Sequence, residues 1–238
     1  MPKILMAPDG AVDFHAHILP GADHGSDSLE TSLFQLEQAT RHGIRRIVAT
    51  PHFYPVNHEV DSFLERRNRA YNLILESCAE DLPQIKLGAE VLICNSIERL
   101  PGLERLFIEG TNTLLLELPF NDFQPAYCAS VEYLVSSGVE VIIAHAERYS
   151  PEHIEQVLSC GARLQLNPRC IVQRHRRGAV IEWFKKGQVA ALGSDIHGRD
   201  KKAYPLFCKA FSVLGIYSTD IVKDSSFIFN SSGIPLKL

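Results

Sequence analysis

The stretch His42-Gly43-Ile44-Arg45-Arg46-Ile47-Val48-Ala49-Thr50-Pro51-His52 decides the fold. A glycine just past a helix takes the left-handed backbone that stops it. The β-rich run that follows reads as a strand. The phrase recurs. Ser137-Gly138 precedes Val141-Ile142-Ile143-Ala144, Cys160-Gly161 precedes Arg163-Leu164-Gln165-Leu166, and Lys186-Gly187 precedes Val189-Ala190-Ala191-Leu192. Elsewhere the apolar residues step by three or four: Leu29, Leu33, Leu36 and Ala39; Val60, Phe63, Leu64, Arg67, Tyr71, Ile74 and Cys78; Ala203, Leu206, Phe207, Ala210, Phe211 and Leu214. That spacing lays one stripe along a helix. The strand-like runs are continuous rather than alternating, the pattern of parallel strands covered on both faces.

Seven strands are expected, near 11–14, 46–50, 85–90, 113–118, 140–144, 162–166 and 189–193. Seven βα units without a linker make one α/β domain over 1–238, a closed or nearly closed barrel. An open doubly wound sheet is the alternative. It gathers ligands at one switch point, whereas six of these seven runs end at a candidate ligand. The tail, 225–233, reads as an extra strand or a packed extension.

A length of 238 residues with 45% hydrophobic content builds an ordinary globular core. The net charge of −4 argues against a broad nucleic-acid surface and leaves room only for a local basic patch. No apolar run approaches the roughly 20 residues that span a bilayer, and the N-terminus lacks the apolar core of a signal peptide. The six cysteines (78, 94, 128, 160, 170 and 208) are scattered, with no C-x-x-C pair. They are expected to be reduced, mostly buried thiols of a cytoplasmic protein.

At or just after the run ends stand Asp13-Phe14-His15-Ala16-His17, Thr50-Pro51-His52, Gly88-Ala89-Glu90, Leu116-Glu117, Ala144-His145 and Ser194-Asp195-Ile196-His197. Asp23 follows shortly after the first. A parallel barrel collects strand ends at one mouth, and histidines and carboxylates collected there are metal ligands. His15 and His17, two apart on a strand, point to one side; Asp195 and His197 repeat the spacing. Singly, each residue has a plainer reading. Glu90 is a charge at a strand edge, His145 a satisfied core histidine, His52 an exposed turn residue, and Asp23 and His24 residues of a Gly-rich turn. Together they resist that reading, because buried His, Asp and Glu need partners. Glu117, inside Leu114-Leu115-Leu116-Glu117-Leu118, is costly without a cation or donor. The chain therefore reads as a hydrolytic enzyme with more than one metal ion. Arg148, three residues after His145, suits recognition of a phosphate; its plainer reading is a surface salt bridge. Arg199, Lys201 and Lys202 either add positive charge at the mouth or are solvated.

These segments, with Ile18-Leu19-Pro20-Gly21-Ala22-Asp23-His24-Gly25 and Ala146-Glu147-Arg148-Tyr149, resemble the polymerase and histidinol phosphatase (PHP) superfamily. Within it they are similar to the bacterial tyrosine-protein phosphatases associated with capsule and exopolysaccharide synthesis. The likeness runs from 11 to about 200 in matching order. It implies a distorted (β/α)7 TIM-like barrel of the PHP type with three divalent metal ions, foremost Mn2+. By position it implies His15, His17, Glu90 and Asp195 on the first ion. Glu90 would bridge to a second, completed by Glu117 and His145, and Asp23, His52 and His197 would hold the third. Arg148, Glu90 and His145 are the implied catalytic residues, Arg148 through the phosphate. The implied substrate is phosphotyrosine on the tail of a bacterial tyrosine kinase that regulates polysaccharide export. Relatives commonly read Asp-Asp-Gly where this chain has Asp23-His24-Gly25. Asp23 and His24 are thus alternatives for the third ion, and a histidine there brings Zn2+ or Fe into play. Three divalent ions outweigh the carboxylates of Asp23, Glu90, Glu117 and Asp195, and the net positive site suits a phosphate monoester. Water on such an ion, its pKa lowered to about 7, is the expected nucleophile. Phe53, Tyr54 and Phe120 are placed to line a pocket for a tyrosyl ring, or else to pack in the core.

Four other readings compete. Cys170-Ile171-Val172-Gln173-Arg174-His175-Arg176 fits C-x5-R, but its loop holds β-branched residues and no glycine. A phosphate cradle needs converging backbone N–H groups, so the match reads as coincidence. A histidinol-phosphate phosphatase is the rival within the superfamily, since both activities cleave phosphate monoesters. An amidohydrolase would leave Glu117 and His197 unexplained, and a binding-only barrel requires lost ligands. The sequence is compatible with an oligomer and does not require one.

Overall fold

The computed structural model describes residues 4–77 and 81–231. In chain order it comprises β1 (Val12–Ala16), α1 (Leu29–Arg41), β2 (Arg46–Ala49), β3 (His52–Phe53), α2 (Val60–Glu76), β4 (Gln84–Leu87), β5 (Glu90–Leu92), β6 (Thr113–Glu117) and α3 (Pro125–Ser136). Then follow β7 (Glu140–Ile143), α4 (Pro151–Ser159), β8 (Arg163–Leu166), α5 (Pro168–Val172), α6 (Arg174–Lys185), β9 (Val189–Leu192), α7 (Ala203–Leu214) and α8 (Tyr217–Asn230). The recurring stop is real: Gly43, Gly138, Gly161 and Gly187 all have positive φ and each separates a helix from the next strand. At Gly161 a side chain would also lie 2.9 Å from Val135 Cγ1. Helix starts are marked as chemistry requires. Ser28 accepts the Thr31 N–H at the head of α1, and Ser150 accepts that of His153 before Pro151 opens α4.

All pairings between the described strands are parallel. They form two sheets, ordered β1-β2-β4 and β3-β5-β6-β7-β8-β9. The expected strand 46–50 is present as Arg46–Ala49 with a short further strand past Pro51, and the expected strand 85–90 is broken in two. Pro51 has no N–H to give a ladder, so 46–50 ends at Ala49 and pairing resumes at His52. The run 85–90 breaks at Gly88-Ala89. Ala49 pairs with Leu87 before the breaks and His52 with Glu90 after them. The two runs therefore stay side by side while passing together from one sheet to the other.

Arg67 of α2 braces this break. Its Nη1 donates to the Gly88 carbonyl at 3.0 Å and its guanidinium lies 5.8 Å from the Phe63 ring centre. Burial lowers its pKa to about 10, so it stays charged at neutral pH. That explains an arginine in an otherwise apolar stripe. Val60, Phe63, Leu64 and Ile74 are buried with it; Cys78 lies outside the described residues.

The segments after β1 and β9 meet. Asp195 N–H donates to the His15 carbonyl at 2.8 Å and His17 N–H to that of Ile196 at 3.3 Å. The buried Asp13 carboxylate takes the Ser194 N–H at 2.7 Å and its hydroxyl at 2.6 Å. Val12, Phe14, Val48, Leu115, Ile142 and Ala190 share one buried apolar cluster with Ile228 and Phe229 of α8. The tail is thus helical through Asn230 rather than a strand: the Ser226 hydroxyl donates to the Gly10 carbonyl at 2.7 Å, and Asp224 pairs with Arg163. Residues 232 and 233 lie outside the described residues. Among the described cysteines, Cys170 and Cys208 are buried, while Cys94, Cys128 and Cys160 are half-buried. No described helix is long and apolar enough to cross a membrane.

Candidate metal centre

Eight of the nine expected ligands converge at the C-terminal edge of the strands, and Asp23 stands behind them. His15 Nε2 lies 3.0 Å from His17 Nε2, 3.2 Å from Glu90 Oε2 and 3.8 Å from Asp195 Oδ1. His17 Nε2 lies 3.3 Å from the same Glu90 oxygen and 3.5 Å from the same Asp195 oxygen. Glu90 Oε1 accepts from His145 Nε2 at 2.7 Å, and Glu117 Oε1 is 3.7 Å from that nitrogen. His52 Nδ1 lies 2.9 Å from Glu90 Oε2 and 3.8 Å from Glu117 Oε2. Three triads have ligand atoms mutually close enough for one ion: His15-His17-Asp195, His52-Glu90-Glu117 and His17-His52-His197.

The donors are turned inward by the residues behind them. Gln165 Oε1 accepts the His145 backbone N–H at 2.7 Å, which fixes it as an oxygen, and it faces His15 Nδ1 at 2.9 Å. His15 must therefore donate through Nδ1. Asp23 Oδ2 likewise holds His17 Nδ1 at 2.7 Å. Both rings then present bare Nε2 lone pairs to one point, the tautomer that metal ligands adopt. Glu90 Oε2 is buried at the same point, facing His15 and His17 Nε2 and His52 Nδ1 at 2.9–3.3 Å without a well-aligned hydrogen bond to any of them. Atoms sharing an ion at about 2.1 Å lie roughly 3.0–3.4 Å apart, which is the spacing found around Glu90 Oε2. The residues fit divalent cations.

The electrostatics agree. Burial opposes charge on His15 and His17, yet Glu90 beside the first and Asp195 and Asp23 beside the second raise both above the ordinary histidine value. Burial, then the Glu90 carboxylate, pushes Glu117 up to about 7. Against its burial, the charge of His15 and hydrogen bonds from the surrounding histidines hold Glu90 well below its usual range. Burial lowers His145, and burial with His17 lowers His197 to about 4. Without a cation, the clustered carboxylates are balanced by protons on these rings and by Arg148 beside Asp195. His145 and Asp195 also hold left-handed backbone, φ 33° and 50°, a strain that persists where surrounding structure enforces it.

Asp23 does not face the point where the rings converge. Its Oδ2 is taken by His17 Nδ1 and the His52 N–H (2.9 Å), and its Oδ1 by the Gly25 N–H (2.8 Å). The neighbouring His24 ring stacks 4.7 Å from His52 and 4.9 Å from His197. Arg148 pairs with Asp195 Oδ2. His24, Arg148, Tyr54 and Phe120 line a cavity of about 400 Å3 above the cluster. Of the three aromatic candidates, Phe53 is fully buried against Phe63 in the core, while Tyr54 and Phe120 reach the cavity. Arg199 turns away to pair with Glu30 at 2.7 Å, and Lys201 and Lys202 are exposed. Cys170 sits buried inside α5, its thiol donating to the Asn167 carbonyl at 3.0 Å.

Four supporting residues are not marked as ligands by the strand-end pattern. Gln165 is described above. Asn167 Nδ2 donates to Asp195 Oδ2 at 2.9 Å, the Tyr149 hydroxyl stands 3.1 Å from His145 Nδ1, and Asp13 holds Ser194. Gln165 left one signal: a polar residue inside the apolar run Leu164-Gln165-Leu166, the run that ended at no candidate ligand.

Parallel strands, with helices between them, that present such a cluster define an α/β protein built around a candidate multi-metal site. Residues 11–232 match the family described as capsular polysaccharide synthesis, CpsB/CapC, and the chain belongs to that family. The chain is 29% identical to the tyrosine-protein phosphatase YwqE of Bacillus subtilis (strain 168) over 198 residues, covering 82% of this chain and 70% of that protein. It is 24% identical to the tyrosine-protein phosphatase CpsB of Streptococcus pneumoniae over 223 residues, covering 85% and 89%. A solved structure from work on YwqE of B. subtilis and CpsB of S. pneumoniae, termed metal-dependent tyrosine phosphatases, superposes with TM-score 0.79 at 20% identity. That match covers 95% of this chain and 100% of the other. The resemblance drawn from the strand-end segments is borne out.

Proposed function

We propose that this chain is a metal-dependent phosphomonoesterase that removes phosphate from tyrosine in a protein substrate. One observation carries the reading. Two histidines held through Nδ1 by Gln165 and Asp23 turn their Nε2 atoms toward one buried Glu90 oxygen, beside an arginine at the cavity wall. Family membership and the names of the B. subtilis and S. pneumoniae relatives support phosphotyrosine over histidinol phosphate. The substrate we infer is the phosphotyrosine-bearing tail of a bacterial tyrosine kinase that regulates capsular polysaccharide synthesis. The setting we infer is the cytoplasm, with a single catalytic domain over 1–238. The strands are read as a distorted (β/α)7 barrel; the hydrogen bonds between the segments after β1 and β9 support closure.

Three divalent ions are proposed, Mn2+ being the family's expected choice. His15, His17, Glu90 and Asp195 would hold the first, Glu90, Glu117 and His145 the second, and His52 and His197 the third. For the third we assign His24 rather than Asp23, because both Asp23 oxygens are engaged in positioning His17, His52 and Gly25. Three imidazoles shift preference there toward Zn2+ or Fe. Bound ions supply positive charge for the phosphoryl oxygens and an activated water. Arg148 binds the phosphoryl group; it is positioned by Asp195 Oδ2, which also accepts from Asn167 Nδ2. Glu90 and His145 set the floor of the site, and Tyr149 and Gln165 keep the rings from turning.

Elemental analysis of the purified protein, with phosphate release from a phosphotyrosyl peptide before and after chelation, tests this reading. Chelation should abolish turnover, divalent metal should restore it, and Cys170→Ser should retain it. Turnover that survives chelation and dies with Cys170→Ser would reverse the assignment. Faster turnover of histidinol phosphate would move the substrate to a small molecule.

A further inference from the structure

We infer that Phe120 is a specificity-determining residue that selects aryl over alkyl phosphate esters by stacking on the leaving-group ring. The inference rests on the phosphoesterase reading above. Phe120 follows Glu117-Leu118-Pro119 on the loop between β6 and α3 and is 61% exposed. It is the apolar residue of the cavity lining; the others carry ionisable or polar groups. Its ring lies within 10° of parallel to His145 at 6.3 Å and is tilted 34° to Tyr149 at 5.7 Å. These two rings back it from the floor and side. They are themselves held, His145 by Glu90 and Tyr149 by the Leu118 N–H at 3.2 Å. Across the cavity Tyr54 lies within 17° of parallel to His52 at 5.3 Å.

The geometry follows a simple division. Charged and ligand-type groups form the floor, where a phosphoryl group is bound. What leaves the floor toward solvent passes an aromatic wall. At the mouth of an otherwise polar cavity, Phe120 offers an apolar ring face that a second ring can cover. A phenyl ester carries a flat ring that can pair with Phe120, as aromatic rings do at about 4.5–7 Å. A short alkyl ester places nothing there.

Binding of phenylphosphonate and methylphosphonate to the metal-loaded protein, measured by calorimetry, isolates the effect from turnover. The wild-type protein should favour the phenyl compound by about tenfold. Phe120→Ala should remove most of that ratio and Phe120→Tyr should restore it. A wild-type ratio near one, or a ratio unchanged in Phe120→Ala, overturns the inference. A protein that shows the aryl preference but does not turn over a phosphotyrosyl peptide would instead refute the functional reading and leave the assignment of Phe120 standing.

Discussion

Replacing Gln165 with leucine tests the internal logic of the metal centre. The Gln165 oxygen accepts two buried donors, the His145 N–H at 2.7 Å and His15 Nδ1 at 2.9 Å, and the amide nitrogen donates to Asn167 Oδ1 at 3.0 Å. Leucine has similar bulk but no acceptor, so both donors lose their partner away from water. At roughly 1–3 kcal/mol for each orphaned group, metal-free stability should fall by about 2–6 kcal/mol. That is a large share of the 5–15 kcal/mol typical of a folded domain. In the metal-loaded state the cost should surface as lost ligand orientation, about 10–100-fold in metal affinity. Urea denaturation in chelator measures the first, and competition against a chelator of known affinity measures the second. Gln165→Glu keeps an oxygen at the same place and should retain most of the affinity even where leucine unfolds the protein. Wild-type stability together with wild-type metal affinity in Gln165→Leu would refute the claim that this side chain sets the His15 tautomer.

Gly193→Ala should be severely destabilising, because its Cβ would stand 2.4 Å from His15 Cβ and 3.0 Å from His15 N. Overpacking of this kind costs about 1–3 kcal/mol or more. A variant with normal melting temperature and metal content would show that the end of β9 is not pressed against β1. Metal loading should release protons, because neighbouring carboxylates raise His15 and His17 above their ordinary value of 6.5. Raised histidines stabilise the metal-free fold fully below about 6.5 and lose that contribution as pH climbs through their folded values. Metal affinity runs the opposite way and rises with pH across the same window; calorimetry in buffers of different ionisation enthalpy would expose a loading that releases none.

Much of the scaffold is written locally. Four glycines announce four helix ends, and each takes positive φ. The strand-end histidines and carboxylates were findable because a charge beside an apolar run has few ordinary explanations. The strand breaks at Pro51 and Gly88-Ala89 were less visible, since a parallel strand buried on both faces reads as one continuous run on either side of a kink. The tail, open between a strand and a packed extension, proved to be the latter for a different reason. Ser225-Ser226-Phe227-Ile228-Phe229 is rich in residues that favour strands, yet Ile221, Ser225 and Ile228 fall on one helical face that is buried. Packing across the bottom of the strands overrides propensity. The choice between Asp23 and His24 depends on which oxygens are already occupied, and occupancy is a property of three dimensions.

The register His52↔Glu90, continued as Glu90↔Leu115, has a consequence for how such a protein can change. Two of the innermost donors hang from backbones tied at the ordinary interstrand interval, so their separation is inherited from the ladder rather than negotiated by loops. Substitutions in the segments carrying Tyr54 and Phe120 can therefore reshape what enters the cavity while the distance between cation-holding atoms stays as it was. The pairing of the strands thus keeps the spacing of these donors apart from changes in the loops that shape what enters.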